Sequence, residues 1–256
     1  RTVELLLGAS ADYVDGRVDD RTWGTSEPVE WTANLALYQQ VRWRPFERLT
    51  LVGGLRQNLS SAYGPLLLYK AGVRYRPWRG GVLRARIAAN FRQPTLRERY
   101  LPFPVANPDL EPERSRNLDA GIVQRLGRHL EIEATFFLTE AFDFIKYFGS
   151  WPTAEVVNLD HVVYPGVEGR IALRKLGPFD FSLGGAWMDV GRYTRQNPAA
   201  KVDGSLRLRW RGLRATLLGA WVSGLYQNNY GRDPIDDVLF FDLDLRYLFE
   251  DTGLEL

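Results

Sequence analysis

The sequence predicts an all-β protein, an antiparallel up-and-down transmembrane β-barrel of about twelve strands. Three observations carry that reading. Apolar and polar residues alternate with a period of two along nearly the whole chain, the connections alternate between short and long, and arginine recurs on the polar phase so often that a helix would scatter it through the apolar stripe.

Composition removes several other classes. The chain has 33 Lys and Arg against 31 Asp and Glu, a formal net charge of +2, which takes away the electrostatic case for a nucleic-acid binder. Cysteine is absent, so a disulfide framework, a thiolate metal site and a Cys nucleophile are all excluded. The two histidines, His129 and His161, are too few for a multi-His metal centre. No stretch approaches the roughly 18 unbroken apolar residues of a spanning helix. The 13 Phe, 12 Tyr, 8 Trp and 24 Gly lean toward β-structure. No charged, apolar, small-residue leader follows Arg1, which by itself leaves the compartment open.

Taken in order, the first strand is expected to run outward from Thr2. Looser alternation follows from Trp31 to Trp43 and from Leu67 to Tyr75. The pattern then sharpens, with Leu83, Ala85, Ile87, Ala89 and Phe91 interleaved with Arg84, Arg86, Asn90 and Arg92. Leu130 to Leu138 and Phe179 to Trp187 repeat it. Leu206, Leu208 and Trp210 alternate with Asp203, Ser205, Arg207 and Arg209. The last strand sets Leu239, Phe241, Leu243, Leu245 and Tyr247 against Asp242, Asp244 and Arg246, and returns to about Leu248. Short connections are expected at 45–47, 78–80, 127–128, 177–178, 211–212 and 251–253, and long ones at 15–28, 60–65, 94–113, 149–160, 191–200 and 224–236. Loop length sorted by end is the habit of outer-membrane barrels, with turns on the periplasmic side and loops outside.

Energy decides which face meets lipid. An arginine at the bilayer midplane costs ~2–4 kcal/mol, so turning Arg84, Arg86, Arg207 and Arg209 outward would cost roughly 8–16 kcal/mol. The apolar phase is therefore expected outside and the charges Arg74, Arg76, Arg84, Arg86, Arg207, Arg209, Asp242, Asp244 and Arg246 toward a wet lumen, where such groups are solvated or mutually paired. A surplus of arginine on neighbouring inner strands would favour anionic over cationic solutes. Trp31 and Trp43 share the apolar phase at a spacing of about 30 Å along the barrel axis, which suits aromatic girdles flanking a ~25 Å apolar band. Trp187, Trp210 and Trp221 also fall toward strand ends and complete the expected girdle.

The most specific signal lies in the connection after Phe91. Phe91-Arg92-Gln93-Pro94-Thr95-Leu96-Arg97-Glu98-Arg99-Tyr100 is followed by Asn107-Pro108-Asp109-Leu110-Glu111-Pro112-Glu113-Arg114-Ser115, and further on Asn158 precedes Gly166-Val167-Glu168. The prolines cannot donate ladder hydrogen bonds, so this segment must leave the sheet and be ordered by side chains at the rim. Glu98 and Glu113 are placed to cap backbone donors or to pair with Arg92 and Arg114. The site residues expected here are Phe91, Arg92, Pro94, Leu96, Glu98, Tyr100, Asn107, Pro108, Leu110, Pro112 and Glu113, read as a rim staple that fixes barrel shape more than as ligand contacts.

These runs resemble the barrel signatures of the TonB-dependent outer-membrane receptors. The resemblance implies a 22-stranded barrel with an N-terminal plug, active import of a scarce nutrient such as an iron–siderophore complex or cobalamin, and a periplasmic partner, TonB, that pulls on the plug. Outer-membrane lipid is then a further partner, and neither nucleic acid nor a cofactor is expected. The sequence departs from that pattern: no plug or coupling box is recognisable before Arg1, about twelve strands are present, and the chain stops at Leu254-Glu255-Leu256 after a turn. Residues 1–256 are accordingly expected to be a single, plugless barrel domain, a fragment of or reduced from the larger barrel. Haem receptors of the family carry a His between the two runs, and residues 101–106 hold none, which argues against haem.

Other candidates are weaker. His161 is expected in a long outer connection and His129 beside a tight turn. Asp12, Asp15, Asp19 and Asp20 are oxygen ligands of the kind Ca²⁺ takes, but they lack EF-hand spacing and read as a solvated loop. The rival functions are a plugless passive pore, an outer-membrane enzyme and a soluble ligand-binding β-protein. An enzyme would need a serine and an orienting group near His161, and beyond the adjacent Asp160 no serine is so placed. A soluble barrel would need the apolar phase inside.

Overall fold

The computed structural model describes residues 1–20, 25–100, 105–149, 153–191, 197–228 and 232–248, with the backbone alone for 18–20 and 25–30. Along the chain come β1 (Thr2–Asp20), β2 (Thr25–Phe46), β3 (Leu49–Ser60), β4 (Gly64–Tyr75) and β5 (Gly81–Arg92), then a short helix α1 (Leu96–Tyr100). β6 (Glu113–Leu126), β7 (Leu130–Phe148), β8 (Glu155–Leu176), β9 (Phe179–Met188), β10 (Ala200–Trp210) and β11 (Leu213–Ser223) follow. The two-residue strands β12 (Leu225–Tyr226) and β13 (Pro234–Ile235) pair with each other before β14 (Val238–Tyr247) closes the series. The large sheet has twelve strands in the order β1 to β11, then β14, an antiparallel meander with β1 and β14 as its two ends. No helix among the described residues is long and apolar enough to cross a membrane.

Compactness divides the chain into two interleaved units, one of Arg1–Val73, Arg86–Leu118 and Thr139–Val163, the other of Arg74–Ala85, Asp119–Leu138 and Tyr164–Leu256. In the first unit, register sorts side chains cleanly. Val3, Trp43 and Leu51 lie side by side across β1, β2 and β3, as do Leu7, Gln39 and Leu55. On the opposite face lie Glu4 beside Arg42, Gly8 beside Tyr38 and Arg56, and Asp12 beside Asn34 and Ser60. In the second unit Phe181, Leu206, Leu217 and Leu243 form one row, while Asp180, Arg207, Thr216 and Asp244 form another on the reverse face.

Exposure on these faces is inverted relative to a water-soluble sheet. The apolar rows stay open away from the two end strands as well, with Leu37 56%, Leu55 45%, Leu183 45% and Leu206 42% exposed. The charged face holds the buried small residues, including Ala36 and Asn58 at 2% and Ala172 at 5%. Soluble proteins do not leave so continuous an apolar surface uncovered. Even the shortest large-sheet strands, β9 and β14, have 10 residues, which meets the roughly 9–11 that a tilted spanning strand needs.

The tight turns fall close to where the sequence places them, at Glu47–Arg48, Gly177–Pro178 and Arg211–Gly212, with 127–129 and 76–80 slightly longer. The turn expected at 251–253 lies outside the described residues. Gly80 is held to glycine twice over, because its φ is +78° and a Cβ there would stand 2.3 Å from the Arg125 carbonyl oxygen.

The alternation of loop length is not strict, and this corrects the sequence reading. β1 and β2 stay paired out to Asp20 and Thr25, so the region 15–28 is mostly ladder. Polar residues beyond an apolar band keep pairing because the ladder is satisfied by backbone hydrogen bonds, whatever the side chains. Between β3 and β4 only Ser61–Tyr63 intervene, since Gly64 takes a φ of +71° and lets the chain reverse at once. Likewise β8 begins at Glu155, so His161 is a strand residue with its ring stacked 4.7 Å from that of Phe142.

Candidate functional site

The rim segment folds into a single cross-braced unit around Arg92, the last residue of β5. The guanidinium donates from Nε and Nη2 to the two oxygens of Glu113, at 2.8 and 2.9 Å, and from Nη1 to Glu98 at 3.0 Å. A planar fork that serves two carboxylates at once is something lysine cannot reproduce. Glu98 in turn closes a capping box on α1: the Thr95 N–H donates to its carboxylate at 2.7 Å, and its own N–H donates to Thr95 Oγ1 at 3.2 Å. The Glu98 side chain is 12% exposed. Burial by itself would raise its pKa, but the hydrogen bonds from Arg92 and Thr95 outweigh it and hold the carboxyl below the usual range. Both alternatives read from the sequence thus hold for Glu98, which caps and pairs. Glu113 accepts from Arg92 and also from the Ile145 N–H at 2.8 Å.

The second run is tied down just as closely. Asn107 Oδ1 accepts from the Asp109 N–H at 3.0 Å, and its Nδ2 donates to the Val156 carbonyl at 2.9 Å. Arg99 donates to the Pro108 carbonyl at 3.0 and 2.9 Å. Asn158 on β8 pairs with Glu111 in both directions, at 2.9 and 3.0 Å, and also donates to the Asp143 carbonyl at 2.6 Å. Asp143 has a φ of +56°, a conformation side chains seldom adopt, and the Asn158 bond fastens it. Leu110 and Val156 (2% exposed) and Ile145 (6%) make the apolar centre of this unit, with Val105 and Tyr147 against it. Pro94 and Pro112 are buried as well, Leu96 and Tyr100 lie on α1, Pro108 is exposed, and Phe91 is partly buried.

The remaining site residues fall on strands as follows. Arg74 lies near the end of β4 and Arg76 one residue beyond it, while Arg84 and Arg86 are on β5. Arg84 reaches across Gly121 on β6 to Glu133 and Thr135 on β7, and a Cβ on Gly121 would stand 3.2 Å from Arg84 Nε. Arg170 on β8 crosses Gly184 to Asp203 on β10 in the same way, at 3.0 Å. Arg207, Arg209, Asp242, Asp244 and Arg246 share one face by register. On that face Arg209 pairs with Asp180, and Arg246 with Asp244 at 3.1 Å. The tryptophans sit on the apolar rows, Trp43 and Trp210 toward tight-turn ends of their strands and Trp31, Trp187 and Trp221 toward loop ends. Trp31 stacks on Tyr13 at 5.9 Å.

Sequence reasoning missed the polar hub of Gln93, which donates to Asn34 at 2.7 Å and to Ser60 at 3.1 Å, with Asn34 also bonded to Asp12 at 2.8 Å. Little in the sequence marks it, because Asp12 and Asn34 lie well inside β1 and β2, Ser60 ends β3 and Gln93 falls one residue beyond β5. The side chains of Asp19 and Asp20 lie outside those described.

A meander of membrane-length strands, greasy on its open face and charged on the other, with a braced rim after β5, defines the wall of a transmembrane β-barrel. The chain belongs to the TonB-dependent receptors, since the family model described as TonB dependent receptor-like, beta-barrel, matches residues 4–254. Among solved structures it is similar to the siderophore receptor PirA from Pseudomonas aeruginosa, with 18% identity, a TM-score of 0.74, and coverage of 96% of this chain and 45% of that one. The copper transporter OprC matches with 19% identity and a TM-score of 0.74, over 96% and 46%. A mutant of the ferric enterobactin receptor PfeA of Pseudomonas aeruginosa, in complex with enterobactin, gives 16% and 0.75, over 96% and 44%. At these identities the likeness is one of fold, and the chain spans less than half the length of each structure. No curated protein matches it. The relatives are transport receptors and not enzymes.

Proposed function

We propose that residues 1–256 act as one barrel domain of an outer-membrane import receptor, with lipid against the apolar face and water against the charged face. The observation that carries the reading is the inverted exposure: open Leu, Phe and Trp rows need a nonaqueous cover, and the Arg–carboxylate rows need a wet one. The cargo is a scarce small-molecule nutrient, with iron–siderophore complexes favoured by the neighbours PirA and PfeA. The tryptophans at strand ends form the interfacial girdles. The Arg92 unit holds the mouth in shape, so that outer loops meet the cargo at fixed positions, and TonB engages through a plug.

Uptake tests this. A receptor-deficient bacterium expressing the receptor that carries this barrel should accumulate iron from a ferric siderophore, and dissipating the proton gradient should abolish accumulation. Uptake that persists without the gradient would make the protein a passive pore.

A further inference from the structure

Four of the tight turns, at 76–80, 127–129, 177–178 and 211–212, stand side by side at one end of the second unit. Backbone hydrogen bonds chain them together: the Arg125 N–H donates to the Gly80 carbonyl, the Arg174 N–H to that of His129 and the Arg209 N–H to that of Pro178, each at 2.8 Å. All four join strands inside the sheet, none of them an end strand.

Cations dominate this rim. Arg79, Arg128, Lys175 and Arg211 are exposed at or beside the turns, and none of these side chains meets a carboxylate among the described residues. Glu131 and Asp180, acids at the same strand ends, are already engaged, Glu131 by Arg125 and Arg174 at 2.5 and 3.6 Å and Asp180 by Arg209. Lys175 and Arg211 have φ of +58° and +52°, a region that strains a side chain and leaves glycine at ease. The chain carries cations there all the same.

Each cation has an exposed apolar neighbour along the chain: Trp78 for Arg79, Leu126 for Arg128, Leu176 for Lys175 and Trp210 for Arg211. Trp210 lies on the apolar row, and the Arg211 guanidinium stands 5.2 Å over its ring. That cation is therefore on the outer side of the wall, opposite the lumen, and whatever fills the lumen leaves it uncovered. An apolar belt bordered by unpaired cations suits a headgroup layer, where rings and leucines meet the acyl boundary and long cationic side chains reach past them to phosphate. An acidic soluble protein would complement the charge alone, whereas an anionic lipid complements charge and belt together.

We propose that this rim binds anionic phospholipid headgroups in the leaflet that the tight turns face, with phosphate held by Arg79, Arg128, Lys175 and Arg211 and acyl chains against Trp78 and Trp210. The proposal rests on the membrane reading above and adds to it a charge preference at one leaflet. It is independent of the cargo.

The test uses the receptor that carries this barrel, reconstituted in phosphatidylcholine vesicles with a trace of spin-labelled phosphatidylglycerol or spin-labelled phosphatidylcholine. Paramagnetic resonance reads the fraction of each label immobilised at the protein surface. The phosphatidylglycerol label should be preferred at least about threefold at low salt, with the preference fading at high salt. Arg79→Gln, Arg128→Gln, Lys175→Gln and Arg211→Gln combined should lose most of it, and the pair Arg79→Gln, Arg128→Gln, which leaves the strained turns untouched, about half. The charge-keeping set Arg79→Lys, Arg128→Lys, Lys175→Arg and Arg211→Lys should retain it. Heat-dependent migration confirms that each variant has assembled. Equal immobilisation of both labels by the assembled wild type, or an undiminished preference in the assembled Gln variants, would overturn the proposal and leave the membrane reading standing. Binding of soluble polyglutamate without any lipid preference would overturn it too, by giving the rim to an acidic protein. Failure of the receptor to assemble in any bilayer would bring down the membrane reading itself, and the proposal with it.

Discussion

At the scale of single residues the rim depends on one guanidinium. Arg92 stands between Glu98 and Glu113, whose side chains are 12% and 14% exposed, so its removal leaves two poorly solvated carboxylates facing each other. Arg92→Gln is expected to weaken the rim by about 1.5–3 kcal/mol. The readout is hydrogen exchange at the Thr95 and Ile145 amides, which donate to the two carboxylates and should open roughly tenfold to a hundredfold more often. Arg92→Lys should fall between the two, because an ammonium keeps the charge but not the fork. The same brace carries a pH dependence of definite sign. Glu98 titrates lower in the fold than in the unfolded chain, so its contribution is complete above the ordinary glutamate range and disappears as pH falls through the lowered value. Hydrogen exchange at the Thr95 amide, corrected for the intrinsic rate at each pH, should therefore rise on acidification below that range, and Glu98→Gln should already exchange readily at neutral pH with little further rise. A flat profile in the wild type would remove the brace from the account.

At the scale of strands, glycines decide where charge can cross. Arg84 reaches Glu133 only because Gly121, on the strand between, has no side chain; a Cβ there would meet Thr135 Oγ1 at 2.9 Å and the Ala134 carbonyl at 3.0 Å. Backbone oxygen does not move aside, so Gly121→Val should destabilise the assembled sheet by about 1–3 kcal/mol, read as the midpoint of urea unfolding in micelles. Gly53→Ala is the control, since nothing lies within 4 Å of its added Cβ, and it should leave the midpoint nearly unchanged. This contrast also marks what the sequence could tell. The period-two pattern located the large-sheet strands because alternation follows from the pleat itself. Strand ends were harder to place: the ladder of β1 and β2 runs through polar residues that carry no apolar signal, and Gly64 turns the chain sooner than composition suggested. The rim motif was legible as residues, and so was the pairing of Arg92 with glutamate. The Gln93 hub was not, since it joins residues from three or more strands whose register no local pattern encodes.

At the scale of the whole molecule the question is which solvent each face meets. The chain has no cysteine, so single cysteines can be introduced without background labelling. Leu206, Leu217 and Leu243 lie in one cross-strand row, and Arg207, Thr216 and Asp244 lie in the neighbouring row on the reverse face. A fluorophore attached at each position, in vesicles whose acyl chains carry bromine, reports contact with lipid by quenching. The first row should be quenched strongly and the second hardly at all, since a row that carries Arg207 and Asp244 into hydrocarbon would cost several kcal/mol while leucine there costs nothing. The sign is fixed by neighbouring residues on the same strands, so a tilt or a shift in depth moves both rows together and cannot exchange them. Quenching of the Arg207 row would mean that the sheet presents its charges to lipid, and the import reading would fall with the orientation it depends on. Equal quenching of both rows would do the same, because it would describe a sheet without an aqueous side.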